Sequence, residues 1–272
     1  MTLRPLKLAA LLALGSLGLH IAPAAAHNVW LQPSSTILAK AQWITVDAAV
    51  SNDLFFVNHM PLALDNLAVT APDGSLVAPE NALRGKLRSV FDLNLSQAGT
   101  YRIAVLNGGI MASYKLNGET KRWRGTAETF AKEVPADAEE LKVNESAGRV
   151  ETFVTVGKPS VLKNIGKGLE LQAVGKNHPN DLVAGETTAF RLLLDGKPVS
   201  GVNVSLIRGG TRYRNQLGEL KFTTDSDGKF SITWPEAGLY WLEAATTDNK
   251  TTVPAAKERR ASYAATLEVQ PQ

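Results

Sequence analysis

Two stretches decide how this chain folds. Phe91-Asp92-Leu93-Asn94-Leu95 is followed by Ala98-Gly99-Thr100-Tyr101 and then a second run of alternating apolar residues, Ile103 and Val105. The same order returns further along. Phe230-Ser231-Ile232-Thr233-Trp234 leads into Ala237-Gly238-Leu239-Tyr240 and another apolar run. In each case a period of two marks a half-buried strand, a small-residue turn reverses the chain, and a return strand follows. One strand–turn–strand unit in each half of the chain predicts two similar units in tandem.

The pattern extends outward from both copies. Ile44, Val46, Ala48 and Val50 alternate with polar neighbours, as do Val202, Val204 and Leu206, and the chain closes on Tyr263, Ala265, Leu267 and Val269. Turn pairs separate these runs: Asp73-Gly74, Asn117-Gly118, Asp195-Gly196 and Asp227-Gly228. Only Thr126–Glu133 and Asp137–Leu141 have the composition of short helices. Many short strands with regular turns predict an all-β protein of two tandem immunoglobulin-like β-sandwich domains. Glycines and Pro159 between 157 and 168 mark the linker, which puts the domains at 27–158 and 159–272.

Residues 1–26 read as a cleaved signal peptide. Arg4 and Lys7 precede an apolar run from Leu8 to Ile21, and Ala24-Ala25-Ala26 supplies a small-residue cleavage site. The run is shorter than the ~20 residues that span a bilayer. No later stretch is long enough to be a transmembrane segment of the mature chain. The expected location is the periplasm. The formal charge of +3 owes two cations to the signal, so nothing points to a nucleic-acid partner. The absence of cysteine excludes disulfides, thiolate metal sites and cysteine nucleophiles. No nucleophile elbow, zinc-protease helix or phosphate loop is present, and the chain is expected not to be an enzyme.

Cleavage after Ala26 makes His27 the first mature residue. Its α-amine and imidazole then form a chelate suited to borderline metals. His59, beside the Met60 thioether, supplies a second imidazole. The expected metal ligands are therefore His27 and His59, with Asp53 and Asp65 close enough in sequence to orient a ring. His178 lies in the turn Asn177-His178-Pro179-Asn180 and reads as a turn residue. The run Glu119 to Arg124 sets cations around Trp123, a combination able to hold an anion or a sugar. Lys257-Glu258-Arg259-Arg260 reads as a solvated charged loop.

Two resemblances follow from these motifs. Asp195-Gly196-Lys197-Pro198-Val199, Gly201-Val202 and Thr224-Asp225 through Asp227-Gly228-Lys229-Phe230 are similar to carboxypeptidase-regulatory-like β-sandwich modules. The mature start Ala26-His27 with Trp30-Leu31 and Pro33, together with Ala98-Gly99-Thr100-Tyr101 and Ser113-Tyr114-Lys115, resembles the NikM-like nickel-uptake family. Many members of that family carry a domain of unknown function. The resemblance implies a periplasmic protein that binds a transition metal ion (nickel, with cobalt or copper as alternatives) for uptake or delivery. It also implies a membrane transporter or outer-membrane receptor as partner. The alternative is a non-catalytic exported module that binds a protein or glycan.

Overall fold

The computed structural model describes residues 27–272; the expected signal peptide lies outside the described residues. The first half contains β1 (Asn28–Pro33), β2 (Ile37–Leu38), β3 (Gln42–Ser51), β4 (Met60–Pro61), β5 (Leu67–Thr70), β6 (Glu80–Arg84) and β7 (Ser89–Leu95). Two long strands, β8 (Gly99–Leu116) and β10 (Glu139–Val156), enclose β9 (Glu119–Gly125) and the helix α1 (Ala127–Glu133). The second half contains β11 (Leu169–Ala173), β12 (Thr187–Leu194), β13 (Lys197–Pro198), β14 (Asn203–Arg208) and β15 (Leu220–Thr223). It ends with β16 (Lys229–Thr233), β17 (Gly238–Asp248) and β18 (Arg259–Val269). Among the described residues the protein is all-β apart from α1 and one short 3-10 turn, as the alternation predicts.

The strands form three sheets. A small one runs β1-β3-β7-β6, with β4 on β3. A wide one runs β15-β14-β17-β18-β10-β8-β5, with β2 on β10 and β9 on β8. A third runs β11-β12-β13, with β16 on β12. The wide sheet takes strands from both halves of the sequence. Its seam is a parallel pairing of β10 with β18, from Glu145 opposite Arg259 to Thr152 opposite Thr266.

Two hydrophobic cores lie on opposite faces of this sheet. On one face Val150, Val154, Trp241 and Ala264 pack with Trp30, Leu31, Phe91 and Leu93 of the small sheet. On the other, Phe153, Leu242, Tyr263 and Ala265 pack with Leu171, Phe190, Leu192 and Trp234. Successive side chains of a strand point to opposite faces, so the seam strands feed both cores at once. The two sandwiches share one sheet instead of lying as separate beads. The expected boundary at 158/159 falls in the segment that crosses from β10 to β11.

The repeated turn has one physical cause in both halves. Tyr101 is buried and its hydroxyl accepts from the Gln97 amide at 2.7 Å. Tyr240 is buried and its hydroxyl donates to the Glu236 carbonyl at 2.8 Å. The preceding Gly99 and Gly238 have φ of 122° and 135°, which a side chain would strain.

One helix expectation holds and one does not. α1 starts at an N-cap, Thr126, in a reciprocal capping arrangement with Thr129. Asp137–Leu141 contains no helix, because β10 begins at Glu139 and pairs with β8 after an irregularity between Glu139 and Lys142.

A polar row is buried between the sheets. Glu151 accepts from the Tyr263 hydroxyl at 2.5 Å and lies 3.5 Å from Arg102 and 3.8 Å from Arg149. Both arginines also donate to linker carbonyls at 2.7 Å, Arg102 to Lys163 and Arg149 to Lys167. The row pins the linker to β8 and β10. Burial and the neighbouring Glu151 push the Tyr263 hydroxyl well above its ordinary pKa. Arg259, read from sequence as a solvated charge, is instead clasped by Asp195 at 2.7 Å and Asp248 at 2.5 Å.

Candidate metal centre

The sheet topology explains why His27 and His59 meet. β1 and β4 flank β3 on either side, both antiparallel to it. Asn28 lies opposite Ser51 and Met60 opposite Val50. The residue before each flanking strand therefore reaches the same end of β3. The imidazoles of His27 and His59 stack there, with centroids 3.9 Å apart and planes 8° from parallel.

The loop that carries His59 is held from within. Ser51 Oγ accepts from Trp30 Nε1 at 2.7 Å and donates to the Asp53 carbonyl at 2.6 Å. Asn58 closes the loop, accepting from the Asn52 amide at 2.9 Å and donating to the Asp53 carboxylate at 2.8 Å. Asp53 thus serves the loop. Phe55 adopts a left-handed φ of 59° and sets its ring edge-on to Trp30 at 5.7 Å. A bulky side chain pays for that conformation, and here packing against Trp30 and Gly209 holds it. Trp241 Nε1 donates to the Val29 carbonyl at 2.9 Å, fixing the start of β1 to the wide sheet.

His27 also lines a small cavity of about 70 Å³ with Asn107, Trp241, Glu243 and Ser262. Burial raises the pKa of Glu243, Arg260 opposes the rise and Glu219 adds to it. Sequence reading missed Glu243. The available signal is one acid inside the apolar run Tyr240 to Ala245.

The pair can ligate, but not as it stands. Imidazole lone pairs lie in the ring plane, so parallel stacked rings aim theirs side by side. One ion at the usual ~2.0–2.1 Å from both nitrogens requires one ring to turn about its side-chain torsions. Among the described residues no group of three or more His, Asp and Glu side chains is arranged to hold a metal. The described side chains therefore supply two imidazoles and no third donor.

The other sequence candidates lie elsewhere. His178 sits at the linker. Its Nε2 is 3.1 Å from the Ser160 carbonyl, and its Nδ1 accepts from the Asn180 amide at 3.1 Å. Burial lowers its pKa. Asn180 in turn donates to the Thr36 carbonyl at 2.6 Å. The turn reading is right, and the turn locks β8, the linker and the start of β2 together. Trp123 is half-buried against Phe130, with rings at 5.5 Å, and donates to Glu133 at 2.8 Å. Arg212 lies over the Phe56 ring at 3.7 Å, placing a cation beside the His59 loop.

A family model described as "Domain of unknown function (DUF4198)" matches residues 24–248. The chain belongs to that family. The match ends at the last residue of β17 and takes in both histidines, while β18 lies beyond it. The family description names no metal and no transporter. No curated protein matches this chain. Solved structures give distant likenesses. The D0-D1 domain of Intimin is 13% identical over 88% of this chain and 97% of that one, with a TM-score of 0.22. The three N-terminal domains of the bacteriophage RB49 outer capsid protein Hoc are 11% identical over 91% of this chain and 100% of that one, with a TM-score of 0.21. The Yersinia pseudotuberculosis adhesin InvE is 10% identical over 90% of this chain and 61% of that one, with a TM-score of 0.23. No helix among the described residues is long and apolar enough to cross a membrane.

Proposed function

We propose that this protein is a periplasmic metal carrier, without catalytic activity, that binds a transition metal ion through a mature N-terminal His27 and through His59. One observation carries the reading: the two imidazoles stack at 3.9 Å although three strands and a loop separate them in sequence. The amine and imidazole of His27 chelate the ion, and His59 turns in as the third nitrogen. An all-nitrogen set of this kind suits nickel and copper, with cobalt weaker. The metal is cargo, handed to or received from a membrane transporter or outer-membrane receptor.

The test compares two proteins in a calorimetric titration with nickel or copper. One begins at His27; the other carries one glycine before it. The first should bind at sub-micromolar concentration and the second far more weakly, because the extra peptide bond removes the amine ligand. Equal binding by both, or binding by neither, ends this reading.

A further inference from the structure

β8, β9 and β10 run on beyond the two cores as a three-stranded arm. Its inner face carries Ala112, Tyr114 and Trp123, which pack with Phe130 of α1 and with Val134. No described element covers its outer face, where Met111, Arg122, Arg124, Lys142 and Asn144 are exposed. The register places Arg124 opposite Met111 and Arg122 opposite Ser113; across β8, Met111 faces Asn144 and Ser113 faces Lys142. Side chains two apart on a strand share a face, so Arg122, Arg124 and Lys142 stand together on it. All three are exposed and none has an ion pair among the described residues, whereas Lys115 is paired with Glu140. Between the arginines and Asn144 lies a shallow groove of about 320 Å³, floored by Met111 and Ser113.

We propose that this groove binds an extended protein segment with acidic residues at alternate positions. Charge and spacing select the occupant. Arg122 and Arg124 are two residues apart on one strand, about 6.6 Å along it, and alternate side chains of an extended segment repeat at the same distance. Arginine forks pair with carboxylates in two-point contacts. Ser113 and Asn144 add hydrogen-bonding groups, and Met111 adds an apolar contact. Among the described strands β9 pairs only with β8, and its other edge lies beside the groove, open to main-chain pairing. A flat anionic bilayer fits less well, because Glu119, Glu139 and Glu140 crowd the tip of the arm and would meet it too. Cations on an edge strand also deter chance pairing, but deterrence alone gives no affinity for acidic peptides.

The experiment uses residues 27–272 and a fluorescent peptide of alternating Glu and Thr, followed by anisotropy. A Gln–Thr peptide and phosphatidylglycerol vesicles serve as comparisons. Binding is expected for the acidic peptide only, and it should weaken as salt shortens the screening length from about 10 Å at 0.1 M to about 3 Å at 1 M. Arg122→Glu with Arg124→Glu should weaken it at least about tenfold while circular dichroism stays unchanged. Lys142→Glu, on a different strand, should weaken it less. The proposal is overturned if the acidic peptide does not bind, if it binds both proteins equally, or if only the vesicles bind.

Discussion

His27 and His59 stand ring to ring, 3.9 Å between centroids and 8° from parallel, because β1 and β4 both begin beside the same end of β3. Neither ring belongs to a core, and the two strand starts determine where they meet. His59→Ala should leave the fold intact and weaken nickel or copper binding at least about tenfold, or about 1.4 kcal/mol, in a calorimetric titration. A variant that binds as tightly as the parent would remove His59 from the site.

Gly209 lies under the ring of Phe55. A Cβ built there would stand 2.9 Å from Phe55 Cδ2 and 3.3 Å from the Leu239 carbonyl oxygen. Phe55 has little freedom to withdraw, since its φ is 59° and Trp30 is on its other side. Gly209→Ala should therefore cost about 1–3 kcal/mol by overpacking in urea unfolding. It should also weaken metal binding, because the displaced loop carries His59.

Removing the carboxylate from the buried row leaves two guanidinium groups unopposed. Glu151→Ala should cost about 3–5 kcal/mol, read as a fall in Tm. Tyr263→Phe removes one hydrogen bond to a charged group and should cost about 1.5–3 kcal/mol. Equal effects from the two substitutions would show that the arginines do not depend on Glu151.

His178 makes stability depend on pH. Its pKa is lowered from 6.5 mainly by burial, so the unfolded chain takes up its proton first as pH falls. Stability then rises with pH through the window below about 6.5 and levels off above it. Protonated Nδ1 would also face the Asn180 amide donor to donor. Replacing His178 with Asn should flatten that part of the curve. An unchanged slope in denaturant midpoints from pH 5 to 7.5 would assign the dependence to other groups.

Much of the fold was legible because its signals are local. The Asp-Gly turns, the alternating strands and the two Ala-Gly-x-Tyr turns each act within a few residues, and the tyrosines of those turns do bind the chain four residues back. Arg149 and Glu151 were harder. Alternation says that they share a face, but not that β11 and the linker cover it. Arg259 looked like a loop charge because both its partners, Asp195 and Asp248, are distant in sequence or in another strand. Of the candidate site, the sequence singles out the two histidines, but their contact depends on the strand order around β3.

The seam between β10 and β18 also sets the order of assembly. Glu145 waits for Arg259, so a strand near the middle of the chain gains its inner neighbour only when nearly all of the chain is present. Loop closure over such a distance costs entropy before any contact repays it. The first half therefore cannot complete its sheet while the second is still being made. Folding of this protein should be slow and largely all-or-none, with the last strand as the step that commits it.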